Sequence, residues 1–468
     1  MATRIVIIGG GPAGYEAALV AAARSAHVTV IDSDGIGGAA VLFDCVPSKT
    51  FIASTGVRTE LRRGPHLGFD IDIEAAKISL PEIHQRVKRL AADQSADVKA
   101  QLLGAGVDVV EGKGELVDTT PGLATHRVQA TAPDGTTSCY DADVVLIATG
   151  ASPRELPTAR PDGERILTWR QLYDLDALPD HLVVVGSGVT GAEFVHAYTE
   201  LGVDVTVVAS RDQILPYEDA DAAAVLERIF SERGVRLVKN ARADSVTRTD
   251  SGVLVTLADG RTVEGSHALM TIGSVPNTGN LGLERVGIEL GRGNYLTVDR
   301  VSRTSVSNIY AAGDCTGLLP LASVAAMQGR IAMWHALGEA VTPIRLRTVA
   351  AAVFTRPELA AVGVPQSAID DGSVQARTIM LPLRTNARAK MSGLRHGFVK
   401  LFCRPATGVV IGGVVVAPIA SELILPIAMA VQTRLTVNHL AQTLSVYPSL
   451  SGSITEAARR LMAHDDLD

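Results

Sequence analysis

The 468-residue sequence has only four cysteines, and aromatic residues make up only 4% of it. So few cysteines exclude a disulfide-stapled secreted scaffold, and no His/Cys spacing among the four cysteines and eleven histidines matches a metal site. Basic blocks are also missing. Forty-three Lys and Arg against fifty Asp and Glu leave a net charge of −7, which argues against a nucleic-acid partner. Long apolar runs are missing too. The stretch Val409–Ala420 holds Gly412, Gly413 and Pro418, so it reads as a buried strand and its turn, too short to cross a membrane. Low-complexity segments are absent, and the 47% hydrophobic content predicts a large packed core. Arg4 leads directly into the apolar Ile5–Ile8, so a signal peptide is not expected, nor stable membrane insertion, and the expected location is the cytoplasm.

Glycine is abundant, at forty-four residues, and its placement is informative. Ile5–Ile8 is followed by Gly9-Gly10-Gly11-Pro12-Ala13-Gly14, an Ala-rich stretch to Ala26, a second apolar run Val28–Ile31, and Asp32. This is strand, glycine turn, helix, strand, acid. In that context Gly9 permits the tight turn, Gly11 admits a pyrophosphate to the backbone, and Gly14 lets helix and strand pack closely. Pro12 suits the first helical turn, and the helix N-terminus then faces the diphosphate. Asp32 stands where a carboxylate can accept from ribose hydroxyls.

The same grammar returns at Leu182–Val185, Gly186-Ser187-Gly188-Val189-Thr190-Gly191, a helix to Leu201, and the strand Val203–Val208. Two copies of one unit predict two nucleotide-binding lobes. In the second copy the acid position holds Ala209, followed by Ser210 and Arg211. Without a carboxylate nothing repels a 2′-phosphate, and Ser210 with Arg211 could bind it. An ordinary exposed Ser-Arg pair in a turn is the alternative. Apolar strands ending at glycine turns also stand at Val144–Gly150 and Ile309–Asp314. Arg154–Arg165 reads as a linker loop. Beyond about residue 346 the fingerprint disappears and strand-like runs (Gly397–Cys403, Val409–Ala417) alternate with helical ones (Glu422–Ala430, Val437–Leu444).

In this order the motifs resemble those of the flavoprotein disulfide reductases, which include dihydrolipoamide dehydrogenase and glutathione reductase. The resemblance rests on the two cradles, Gly37-Gly38 to Lys49, Ala148-Thr149-Gly150, Gly273-Ser274-Val275-Pro276-Asn277 and Ala312-Gly313-Asp314, and it spans nearly the whole chain. It implies an α/β fold with two Rossmann-like dinucleotide-binding domains and a C-terminal α+β dimerisation domain. FAD would occupy 1–155 with 276–345, NADPH or NADH would occupy 156–275, and 346–468 would form a homodimer. The FAD contacts implied are Gly9, Gly11, Pro12, Ala13, Gly14, Asp32, Gly38, Ala39, Lys49, Gly114, Thr149, Gly150, Asp314 and the helix from Ala322. Those implied for the nicotinamide nucleotide are Gly186, Gly188, Val189, Gly191, Glu193, Ser210, Arg211 and Gly273. Lys49 would lie near flavin N5, paired with Glu193; a purely structural ion pair is the alternative reading.

The departures are as informative as the matches. The redox motif of the family has two cysteines separated by four residues; here the first position is Ala40 and the second is Cys45. The family's C-terminal His and Glu fall on Tyr447 and Gly452. Tyrosine, with an ordinary pKa of about 10, is a poor base at neutral pH. Thiol–disulfide chemistry is therefore not expected. Cys45 is either a packing residue or a thiol near the flavin. The resemblance points to an NAD(P)H:quinone reductase, with a soluble pyridine nucleotide transhydrogenase and a non-catalytic flavin-binding subunit or sensor as alternatives.

Overall fold

The computed structural model describes residues 2–70, 72, 76–118 and 126–462. The chain forms two compact units, one of Met1–Thr50, Glu82–Arg154 and Gly273–Ile344, the other of Phe51–Pro81, Glu155–Ile272 and Arg345–Asp468.

In the first unit five parallel strands lie in the order Ile309–Ala311, Val144–Ile147, Arg4–Ile8, His27–Asp32, Asp108–Glu111. Val144–Ile147 is buried throughout and Arg4–Ile8 is buried beyond its first residue. Continuous apolar runs are what a parallel sheet covered on both faces requires. On one face the helices Pro12–Ala22 and Ala322–Ala336 pack at backbone distance. A Cβ on Gly329 would lie 2.1 Å from the carbonyl oxygen of Ala13, and Ala13, Ala17, Ala18 and Ala21 supply the small facing residues. A three-stranded antiparallel sheet (Lys113–Val117, His126–Thr131, Thr137–Ala142) and a two-stranded ribbon (Ala151–Pro153 with Ser274–Pro276) complete the unit.

The second unit repeats the motif with parallel strands Arg236–Val238, Asp204–Val208, His181–Val185, His267–Met270 and Ile166–Leu167. Its C-terminal part builds a five-stranded antiparallel sheet, Ala350–Val353, Glu358–Gly363, Val410–Ala417, Phe398–Cys403, Arg377–Pro382. The expected strands at 397–403 and 409–417 are thus present. The expected helix 422–430 is two shorter helices, Ala420–Leu423 and Leu425–Thr433, the second beginning with Pro426 in its first turn. Proline at that place has no amide proton to continue the earlier ladder.

One residue of this sheet is a fully buried cation. Lys400 is only 2% exposed, and its Nζ donates to Asp219 Oδ1 and Oδ2 at 3.0 and 2.7 Å and to Asp221 Oδ2 at 2.6 Å. A charge so deeply buried needs such partners. Asp219 also caps the helix Ala220–Glu232 by accepting from the Ala222 amide.

Candidate nucleotide and electron-transfer sites

The first cradle forms where the parallel strands end. Gly9 turns the chain out of Arg4–Ile8 at φ +109°, and its amide donates to Ile31 O at 2.8 Å. A Cβ here would stand 2.3 Å from Ala148 O, and one on Gly14 would stand 1.9 Å from Gly9 O. These two glycines are demanded by the fold itself. Gly11 is different. It has φ −70°, which any residue adopts, and the nearest atom to a Cβ would be Gly38 Cα at 3.9 Å. Nothing in the protein requires glycine at 11, so the open space there fits a ligand's diphosphate. The second cradle repeats the division. A Cβ on Gly186 or on Gly191 would lie 2.3 Å from a backbone oxygen, whereas Gly188, at φ −74°, has nothing within 4 Å. Both cradles therefore fit dinucleotides, the groups that fold and sequence imply.

Around the first cradle the structure gathers the expected residues within one unit. Pro12 opens the helix Pro12–Ala22, with Ala13 and Gly14 buried in its first turn. Asp32, at the end of its strand, accepts from the amides of Gly10 (2.6 Å), Asp34 (2.8 Å) and Gly35 (2.6 Å). Its carboxylate thus also organises the turn, a role that the sequence did not display. Burial pushes its pKa up, and the three amide donors oppose that shift. Gly38 abuts Gly11, since a Cβ on it would lie 2.7 Å from Gly11 Cα, and Ala39 follows in the short helix Gly38–Leu42. Gly114 lets its strand approach Ile8, whose side chain a Cβ there would meet at 2.9 Å.

Thr149 and Gly150 follow the strand Val144–Ile147, and Asn277 clamps them. Asn277 Nδ2 donates to Thr149 O (2.9 Å), Thr149 Oγ1 donates to Asn277 O (2.6 Å), and the Asn277 amide donates to Gly150 O (3.0 Å). Gly273 stands at the base of the same ribbon, its carbonyl accepting from the Arg154 amide at 2.9 Å. Asp314 follows the strand Ile309–Ala311 in the short helix Asp314–Thr316, and Ala322 begins the helix Ala322–Ala336. Burial, with a smaller contribution from the neighbouring Asp44 carboxylate, pushes the Asp314 carboxyl up to about 6. That neighbour is a second carboxylate that the sequence did not point to.

Cys45 and Lys49 occupy the first turns of the helix Cys45–Arg63, both half-buried. Ala40 lies in the preceding helix, and all four cysteines are free thiols. Cys315 is fully buried, with its thiol pushed up to about 11 chiefly by burial. A thiol so held is inert at neutral pH.

In the second unit Val189 opens the helix Val189–Glu200. Glu193, on the same helix, is 2% exposed and accepts from the Phe354 amide at 2.9 Å. Ala209 is buried, while Ser210 and Arg211 are exposed just beyond the strand Asp204–Val208. Their backbone is fixed by Ala209 N to Val238 O (2.9 Å), Ala241 N to Ala209 O (2.9 Å) and Asn240 N to Arg211 O (3.1 Å). Leu215 N to Ser187 O (2.7 Å) ties the following loop to the glycine turn. Tyr447 is 86% exposed, and Gly452 begins the helix Gly452–Leu461. Beside Gly452 the chain has a serine–asparagine network: Asn386 Nδ2 donates to Ser449 O and Ser453 Oγ, each at 2.9 Å, and Ser449 Oγ accepts from the Gly452 amide at 3.1 Å.

Two glycine cradles at the ends of parallel strands, an acid after the strand of the first, and a C-terminal antiparallel domain define a flavin- and nicotinamide-dependent reductase architecture. Comparison with known proteins agrees. Residues 3–329 match the family described as pyridine nucleotide-disulphide oxidoreductase, and residues 349–458 match its dimerisation domain. The chain belongs to this family of oxidoreductases, which use FAD and a nicotinamide nucleotide. It is 82% identical over 471 aligned positions to the NAD(P)H dehydrogenase (quinone) of Mycobacterium tuberculosis, covering 100% of this chain and 96% of that protein. It is 31% identical to the dihydrolipoyl dehydrogenase of Zymomonas mobilis, over 97% and 96% of the two chains. The crystal structure of LpdA from Mycobacterium tuberculosis superposes with a TM-score of 0.95 at 81% identity, covering 98% of this chain and all of the other.

Proposed function

We propose that the protein is an FAD-dependent NAD(P)H:quinone oxidoreductase that works without a redox-active disulfide. The observation that carries this reading is a mismatch within one chain. Both nucleotide cradles are complete, with open space at Gly11 and Gly188, yet Ala40 and Cys45 cannot form the family's disulfide, and Tyr447 and Gly452 cannot serve as its acid–base pair. The 82%-identical relative named as an NAD(P)H dehydrogenase (quinone) supports the same reading.

The balanced reaction is NAD(P)H plus a quinone plus a proton, giving NAD(P)⁺ and the hydroquinone. Bound FAD supplies a group that takes up a hydride and releases electrons singly or in pairs, which suits quinones. The chain's own residues do the rest. The helix Pro12–Ala22 turns its N-terminus toward one diphosphate and Val189–Glu200 toward the other. Asp314 would hold the FAD, and the N-terminal dipole of the helix Ala322–Ala336 would favour negative charge on the reduced flavin. Lys49 would stand beside the flavin as a cation, and Glu193 would serve the nicotinamide site. Ser210 and Arg211 receive the 2′-phosphate of NADPH. Reduction of a quinone releases no thiolate, so the missing base is not needed.

By the same proposal, 1–155 with 276–345 binds FAD, 156–275 binds the nicotinamide nucleotide, and 346–468 pairs two chains into a homodimer. Among the described residues no helix is long and apolar enough to cross a membrane; a cytoplasmic location belongs to the proposal.

Steady-state turnover with a panel of quinones and with dihydrolipoamide, driven by either reduced nucleotide, tests this. Quinone reduction without dihydrolipoamide oxidation is expected. Efficient dihydrolipoamide turnover would overturn it. Hydride transfer from NADPH to a thio-NAD analogue far outpacing every quinone would favour a transhydrogenase instead.

A further inference from the structure

The C-terminal domain carries a concentration of charge that the reaction does not use. Between residues 372 and 421 there is no Asp or Glu, in a chain whose net charge is −7. Within that stretch the segment 383–397 folds into a closed loop. It runs through the short helices Leu383–Thr385 and Ala387–Met391, and its ends are joined by Leu383 N to Gly397 O at 2.9 Å. Leu383 and Ala389 are fully buried and root it, and Leu394 N to Ala389 O at 2.9 Å tightens it.

Arg384, Arg388, Lys390 and Arg395 all stand exposed on this fixed scaffold. Among the described residues their side chains have no ion pair and no hydrogen bond. Some surface arginines elsewhere are paired, as Arg4 is with Asp143 and Arg127 with Asp141, and, among the described residues, others such as Arg228 and Arg404 are not; what sets this loop apart is four unpaired cations gathered on one short segment with no acid in the surrounding sequence. Glu232, at the end of the helix Ala220–Glu232, approaches the loop, 3.6 Å from His396. Met391, between Lys390 and Arg395, is 61% exposed. Four unneutralised cations and a projecting apolar side chain on a rigid loop fit an anionic partner with an apolar interior.

We propose that the loop 383–397 docks the enzyme on the surface of an anionic lipid bilayer. The choice of lipid over nucleic acid follows from Met391, from the absence of any Phe, Tyr or Trp in the loop to stack a base, and from the acidity of the rest of the chain. The proposal rests on the quinone reading for its purpose, because lipophilic quinones dissolve in bilayers. The loop is also tied to the part of the chain where the acceptor side is expected, since Asn386, at its foot, donates to Ser449 O and Ser453 Oγ next to Gly452.

The test is co-sedimentation of the FAD-loaded protein with vesicles of equal parts phosphatidylglycerol and phosphatidylcholine, and with phosphatidylcholine alone. The wild type is compared with the fourfold variant R384Q/R388Q/K390Q/R395Q, whose bound flavin is measured as the check of folding. The wild type is expected to bind only the anionic vesicles and to be released near 1 M salt, where the screening length is about 3 Å. The variant should partition about two to three orders of magnitude less. Turnover of a short-chain, water-soluble quinone should be the same in both. Equal vesicle binding by the two proteins, binding to neutral vesicles, or capture of duplex DNA in place of vesicles would overturn the docking proposal. Vesicle binding lost in the variant, with no quinone turnover in either protein, would support docking and overturn the quinone reading.

Discussion

Replacing Arg211 by alanine isolates one charge from an otherwise fixed loop. The backbone on both sides is held by bonds that do not involve the guanidinium: Ala209 N to Val238 O at 2.9 Å, Asn240 N to Arg211 O at 3.1 Å, and Leu215 N to Ser187 O at 2.7 Å. Glu227 adds another, accepting from the Ile214 amide at 3.0 Å. The substitution therefore leaves the loop in place and removes only the side chain. If that side chain meets the 2′-phosphate, a charge-assisted hydrogen bond of about 1.5–3 kcal/mol is lost. Arg211 is exposed, so screening by water and salt places the effect at the lower end. The expected loss is about tenfold in kcat/KM for NADPH, with about 1.4 kcal/mol corresponding to that factor. NADH lacks the phosphate, so its kinetics should hardly move. The loss should shrink as salt is raised, because the interaction is between charges. Introducing Ala209→Glu should work in the opposite sense and turn preference toward NADH. The assay is kcat/KM for both nucleotides in both variants, at low and high ionic strength. An NADPH-to-NADH ratio equal in wild type and Arg211→Ala at every salt concentration would refute the reasoning, since the guanidinium would then never reach the phosphate.

Gly11→Ala and Gly188→Ala should fold normally, because both sites have ordinary φ and open space. The first should purify with less flavin, and the second should keep its flavin while KM for the nicotinamide nucleotide rises; an unfolded Gly11→Ala protein would contradict this. Cys45→Ser should reduce quinones at close to the wild-type rate, and a loss beyond about a hundredfold, roughly 2.7 kcal/mol of transition-state stabilisation, would put the thiol in the electron path. Lys400→Met strands the buried Asp219 carboxylate, and removal of one partner from such a pair costs about 3–5 kcal/mol. Chemical denaturation should show that loss, and adding Asp219→Asn should restore much of it, since asparagine keeps the helix cap. Asp314 holds its proton more tightly in the folded flavin-free protein, with a pKa of about 6, than in an unfolded chain. Its contribution is fully present below about pH 3.8 and lost as pH rises through about 6, so the stability of flavin-free Asp314→Asn relative to wild type should rise over that interval. A melting-temperature difference that stays flat with pH would refute it.

The local grammar of the fold was readable because each signal is short-range. Gly9, Gly14, Gly186 and Gly191 mark turns that only glycine permits, and the flanking apolar runs are the central strands of the two parallel sheets. The same reasoning found the buried strand Val410–Ala417. What stayed hidden arises from residues distant in sequence. Nothing local marks Lys400 as buried among its apolar strand neighbours, and the carboxylates of Asp219 and Asp221, about 180 residues away, make its burial tolerable. The approach of Asp44 to Asp314 and the clamp of Asn277 on Thr149 have the same origin. The carboxylate of Asp32 was read as a ligand group, and its three amide partners became visible only with the turn formed. The helix broken at Pro426 was missed because its apolar residues continue across the break.

The assembly of the first unit from three separated segments has a consequence for synthesis on the ribosome. Val144–Ile147 emerges early, but its neighbour Ile309–Ala311 is made about 160 residues later. At 5–20 residues per second that is a wait of roughly 8–32 s. Throughout it the nascent sheet has an open edge at Val144–Ile147. The small-residue face of Pro12–Ala22 likewise lacks its cover, Ala322–Ala336. The intervening segment Glu155–Ile272 contains its own parallel sheet and can begin to fold meanwhile. The first unit is therefore begun before the segment Glu155–Ile272 and completed only after it, and nascent chains paused between residues 272 and 309 would be the ones that most need a chaperone.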